Sequence, residues 1–223
     1  MIAEENLSNI SNPQISVSNT NVVLLISKLM KQTVPNFKTY VVSDFYKKRK
    51  LNEDDFTQIY IEQAQILIRN HDYPFNINGQ YRDITNLSKG FSDFYFYANE
   101  QNISTTSFFS VESKRLPSPE KPREKEYVIG NTNNGGIERY KTEKHGKGIN
   151  ECGLLGFVEK ENFTYWTATI NYWIKDLAKT NKVWKIDEIL SETESNNDFC
   201  ILKSIAYRNS DAINLTHLWV TLN

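Results

Sequence analysis

Cysteine is scarce: Cys152 and Cys200 are the only two in 223 residues. Two thiols build neither a disulfide framework nor a four-ligand zinc site, which leaves them as free thiols of a reducing compartment. The three histidines, His71, His145 and His217, are dispersed and show no metal-ligand spacing. Long apolar runs are missing too. The longest, NVVLLISKLM, is far short of the roughly 20 residues that span a bilayer. The N-terminal stretch MIAEENLSNISNPQ is acidic and polar where a secretion signal needs a basic start and an apolar core, so the expectation is a cytoplasmic protein with no membrane attachment. Neither sign of charge dominates: 26 Lys and Arg face 27 Asp and Glu, net −1. That balance excludes a chain that coats DNA by global charge and disfavours an acidic inhibitor, but it permits a local basic site. No G-x-x-x-x-G-K loop and no G-x-S-x-G elbow occurs, so a P-loop NTPase and a serine hydrolase of that type are excluded; Gly135-Gly136 and Gly146-Lys-Gly148 are turn signals.

What is present reads as one domain over 21–223 behind a polar, flexible arm at 1–20. Residues 21–32 predict a short helix ended by Pro35, and 37–50 is ambiguous, with a basic tail from Lys47 to Lys50. The clearest helix is LNEDDFTQIYIEQAQILIRN. Asn52 caps it, and Glu53, Asp54 and Asp55 fill the first turn, where the helix dipole favours anions. Glu62, three residues after Ile59 and four before Ile66, falls beside its apolar stripe, an unusual position for a carboxylate. Residues 71–90 read as loop with a short strand near 80–85. FSDFYFYA (91–98) and the segment 105–116 read as strands. Residues 117–135, with three prolines and dense charge, predict a partly mobile excursion. A short helix from 136, a strand in 151–161, a helix at 163–179 with a stripe of Tyr165, Trp166, Ile170, Trp173 and Leu177, and a closing hairpin from 199–209 and 215–223 complete the chain.

Alternation along the strand SFFSVESKRL puts Glu112 and Lys114 on one face and Ser113 and Arg115 on the other. A carboxylate and an ammonium inside an apolar strand must be satisfied or used. Asp93 precedes Glu112 by nineteen residues, on the previous strand. With Ser92-Asp93, Glu112-Ser113-Lys114 and an acid-bearing helix ahead of both, residues 53–160 resemble the PD-(D/E)xK nuclease superfamily; Ser92 stands where that family often has proline. The resemblance implies an α/β fold with a restriction-endonuclease-like core, α-β-β-β-α-β: a mixed central sheet flanked by helices, here with an N-terminal helical extension and a C-terminal hairpin. It implies Mg²⁺, with Mn²⁺ as substitute, held by Asp93, Glu112, the backbone carbonyl of Ser113 and Glu62, with Lys114 assisting the attacking water. By the same resemblance the chain is an endonuclease acting on DNA rather than RNA, in restriction or anti-phage defence. Arg139 and Lys141 of the helix from 136, and Lys121 and Arg123 of the excursion, are the candidate nucleic-acid contacts. The balanced charge suggests that a homodimer or a partner protein supplies part of the grip. The alternative is a nuclease-like scaffold that cleaves nothing and serves as an interaction subunit.

Overall fold

The computed structural model describes residues 19–43, 49–82, 90–100, 104–209 and 211–222. The arm, apart from its last residues, and Lys47 and Lys48 of the basic tail lie outside these. Helix α1 (Asn19–Val41) is followed by α2 (Glu53–Asn70) and three strands, β1 (Phe75–Arg82), β2 (Phe91–Ala98) and β3 (Phe109–Leu116). Then come a 3-10 turn (Lys121–Arg123), α3 (Gly136–Lys141), β4 (Glu151–Val158) and α4 (Phe163–Thr180). A second 3-10 turn (Ile186–Glu188) and strands β5 (Ser191–Ser195), β6 (Phe199–Tyr207) and β7 (Ala212–Thr221) close the described chain. The seven strands form one sheet in the order β1-β2-β3-β4-β7-β6-β5. β3, β4 and β7 are mutually parallel, and the remaining pairs are antiparallel. The class is therefore α/β with a mixed sheet, and β6 and β7 form the expected hairpin.

Helices α1 and α2 cover one face and α3 and α4 the other. β4 shows why the sheet needs both covers. Leu155 and Phe157 point into the cluster holding Ile26, Phe37 and Tyr60, while Leu154 and Val158 point into the one holding Tyr140, Trp166 and Ile170. A strand buried on both faces reads as a continuous apolar run, as ECGLLGFV does.

Four expectations need correction. α1 does not end at Pro35 but continues to Val41. An interior proline costs a helix about 3 kcal/mol, and fully burying Val34 and Phe37 returns more than that at about 2–3 kcal/mol per large apolar side chain. Phe37 meets Tyr60 of α2 edge-on at 5.5 Å, and the Tyr60 hydroxyl donates to the Met30 carbonyl at 2.6 Å. β1 lies at 75–82, not 80–85, because Phe75 and Ile77 alternate into the core despite the flanking Pro74 and Gly79. The excursion 117–135 is pinned at its middle: Glu126, Tyr127 and Val128 are buried, and the Tyr127 hydroxyl bonds His217 and Trp219 at 2.8 Å each. In α4 the stripe is Trp166, Ile170, Trp173 and Ile174, with Leu177 packed against it partly buried. Tyr165 is 48% exposed, because one residue turns a helix by about 100°. Among the described residues, no helix is long and apolar enough to cross a membrane.

Candidate active site

The site begins as a question of backbone hydrogen bonding. β2 and β3 pair only from Phe94↔Val111 to Phe96↔Phe109, although both strands run on. Beyond that point β3 still pairs with β4 through Leu116, but its β2 side is open. Buried N–H groups must find acceptors, and here two carboxylates take the place of the missing strand. The Ser113 N–H donates to Asp93 at 2.6 Å, and the Arg115 N–H donates to Glu53 at 3.0 Å. Extending the register by one pair sets Asp93 opposite Glu112.

Glu112 is fully buried and Lys114 is 4% exposed, so their pairing is no surface salt bridge. The Lys114 ammonium donates to Glu112 Oε1 at 2.9 Å, to the Ser113 carbonyl at 2.8 Å and to Glu53 Oε1 at 3.1 Å. Arg139 of α3 donates to Glu112 Oε1 at 2.5 Å, and His145 Nδ1 stands 3.1 Å from Glu112 Oε2. Gly90 leaves His145 that space, since a Cβ there would come within 2.6 Å of the imidazole. Burial alone would raise the Glu112 pKa, but the Lys114 ammonium, His145 and Arg139 outweigh it and hold the carboxyl at about 2. Asp93 goes the other way. Burial, and then the Glu112 charge beside it, push it up to about 8. Burial also raises Glu53. Burial works against the charge on Lys114, yet Glu112, Glu53 and Asp93 together hold its proton more tightly than usual. Two adjacent carboxyls with pKa values driven apart are the arrangement on which acid–base and metal chemistry is built.

The structure thus brings together Asp93, Glu112, Ser113, Lys114 and Arg139 from the sequence reading. It does not bring Glu62. That residue follows Glu53 by nine positions, about two and a half helical turns, and so lies on the far side of α2 some way along its axis. Its carboxylate accepts from Gln58 at 2.9 Å. The acid that α2 supplies is Glu53, read from the sequence only as a dipole partner. Lys141 is also misassigned as a nucleic-acid contact. Its ammonium is buried, pairs with Glu188, donates to the Tyr207 carbonyl at 3.0 Å and stacks 4.8 Å from the Trp184 ring centre. Lys121 and Arg123 are exposed and line a recess of about 430 Å³, where Arg123 donates to Glu126 at 2.6 Å. The Arg123 guanidinium is held above its ordinary value by that bond first. Glu53 and His145 are the residues that sequence reasoning missed. The hint for Glu53 was its position at the mouth of the helix that precedes the strands.

Among the described residues, no three His, Cys, Asp or Glu side chains form a ready-made ligand group. Mg²⁺ ordinarily needs only one or two carboxylates, with water filling its shell. The donors here are hard oxygens. Glu112 Oε2 is buried with only His145 Nδ1 beside it, at 3.1 Å, and the Asp93 carboxyl lies close enough to Glu112 for the two charges to oppose each other. Asp93, Glu112 and the Ser113 carbonyl therefore fit a hard divalent cation. Neither family models, nor curated proteins, nor solved structures contain a match to this chain.

Proposed function

We propose that the chain is a Mg²⁺-dependent nuclease that hydrolyses phosphodiester bonds, with DNA the favoured substrate and a restriction-endonuclease-like core built from α2 to β4. The observation that carries this reading is the convergence of Asp93, Glu112 and Lys114 where β2 and β3 part. Asp93, Glu112 and the Ser113 carbonyl would hold the metal, which when bound polarises the phosphate and acidifies a water. The protein's own groups do the rest. Arg139 and His145 fix the Glu112 carboxylate, and the Ser113 N–H fixes Asp93. Lys114 presents a positive charge to the negative charge that develops on the phosphate, an effect worth about 10²–10³ in rate for a single preorganised donor. Glu53 aims that ammonium, and Arg139, only partly buried, would meet an approaching phosphate. A role in restriction or anti-phage defence, with a second copy or a partner protein sharing the grip, belongs to this proposal.

One observation favours the rival reading of a scaffold that cleaves nothing: all three ammonium protons of Lys114 are taken, by Glu112, Glu53 and Ser113. The decisive experiment incubates the protein and Lys114→Ala with plasmid, linear and single-stranded DNA and with RNA, in Mg²⁺, Mn²⁺ or EDTA. Metal-dependent cutting that vanishes in the variant is expected. Absence of cutting, together with no calorimetric Mn²⁺ binding, would overturn the enzyme reading in favour of the scaffold.

A further inference from the structure

Beside Asp93, α2 and β1 enclose a second groove of about 410 Å³. Its polar lining is Thr57, Gln58 and Gln65 from α2, Asn78 and Gln80 from β1, and the carboxylates of Asp54 and Asp93. No lysine or arginine lines it among the described residues. A phosphate backbone would meet two carboxylates and no cation there. Base edges are different. Paired amides match the donor and acceptor of adenine, and carboxylates accept from the amino group of cytosine.

Gln80 marks where such a base would sit. β1 and β2 pair at Gly79↔Phe94 and at Tyr81↔Ser92, but the pair between them, Gln80 with Asp93, is absent. Gln80 has φ 47, the left-handed region that a long side chain rarely adopts. Its amide is exposed and makes no hydrogen bond among the described residues. Strained backbone of this kind concentrates at ligand-contacting positions, and this residue is the cross-strand neighbour of a site carboxylate.

We infer that the α2–β1 groove is the specificity surface of this nuclease: Gln80, with Asn78 and Gln58, reads the amino-bearing edge of a base beside the scissile phosphate, adenine first and cytosine second. This rests on the nuclease reading above and adds to it which face of the site meets bases and which meets phosphates.

The test has two arms. In the first, a duplex library randomised around the cut is digested in Mg²⁺ and the cleaved ends are sequenced, for the protein and for Gln80→Ala, Asn78→Ala and Gln80→Gly. The expected result is a bias toward A or C at one position near the cut, reduced about tenfold in each variant. Gln80→Gly relieves the backbone strain and raises the melting temperature, so its loss of bias cannot come from misfolding. In the second, fluorescence polarisation in EDTA measures binding of duplexes that differ at that one base pair, and the same variants should level the affinities. Cutting without base bias, or a bias unchanged in all three variants, would overturn the inference and leave the nuclease reading intact. No cutting and no binding of any nucleic acid would overturn both.

Discussion

Asp93→Asn should destroy cleavage and yet stabilise the metal-free protein. Burial and the Glu112 charge raise the Asp93 carboxyl from 3.8 to about 8. A carboxyl whose pKa is higher folded than unfolded leaves the native state fully stable below the unfolded value, and the protein loses stability as pH rises toward the folded value. Each unit is about 1.4 kcal/mol, so the ceiling above pH 8 is about 6 kcal/mol. Asp93 is partly solvent-exposed, and water screens the repulsion, so about 2–3 kcal/mol is the expected gain. Asparagine keeps an oxygen for the Ser113 N–H and carries no charge to oppose Glu112. Urea unfolding in EDTA at pH 4.5, 7 and 8.5 measures the difference between the two proteins. It should be smallest at pH 4.5 and largest at pH 8.5. Excess Mg²⁺ should then narrow it, because the cation stabilises the native state that binds it. A variant no more stable than the parent at pH 8.5, or a gap that fails to grow with pH, would refute the claim that the two carboxyls oppose each other.

Other outcomes follow from the same geometry. Glu53→Gln should lower the cleavage rate about 10- to 100-fold by freeing the Lys114 ammonium, while Glu62→Gln leaves it unchanged; equal effects in a kinetic assay would contradict the helix register. Lys114→Arg should not rescue the loss in Lys114→Ala, because a planar fork cannot direct three donors at Glu112, Ser113 and Glu53, and recovered single-turnover cutting would speak against that role. His217 is buried and its pKa is lowered from 6.5 to about 3, so it contributes stability that is complete above pH 6.5 and lost as pH falls toward 3. At pH 5 the cost is about 2 kcal/mol; His217→Gln should flatten this slope in urea melts between pH 7.5 and 4.5, and an unaltered slope would count against it.

Local rules were legible where one signal acted alone. Asn52 caps α2 through a reciprocal bond with Asp55, as the pattern implies. The shared face of Glu112 and Lys114 followed from strand alternation, because period-two geometry fixes it without knowledge of neighbours, while Asp93 joined them through the family resemblance. Pro35 misled because a helix-breaking rule was outweighed by tertiary burial. Lys141 misled because its partner, Glu188, is distant in sequence. Glu62 and Glu53 lie on opposite sides and at different levels of α2, and no local pattern says which side and which end abut the gap between β2 and β3.

We expect the three residue pairs that join β2 to β3 to act as a pivot as well. The β1–β2 ribbon is held to the sheet there and by its packing under α2, while its end carrying Gln80 and Asp93 projects past the joint. The aperture between Asp93 and Glu112 is then set by the tilt of a short lever, with Phe96 and Phe109 at its fulcrum, 6.0 Å apart between ring centres. A change of volume at either ring, remote from every charged group described, would move one wall of the site as a unit.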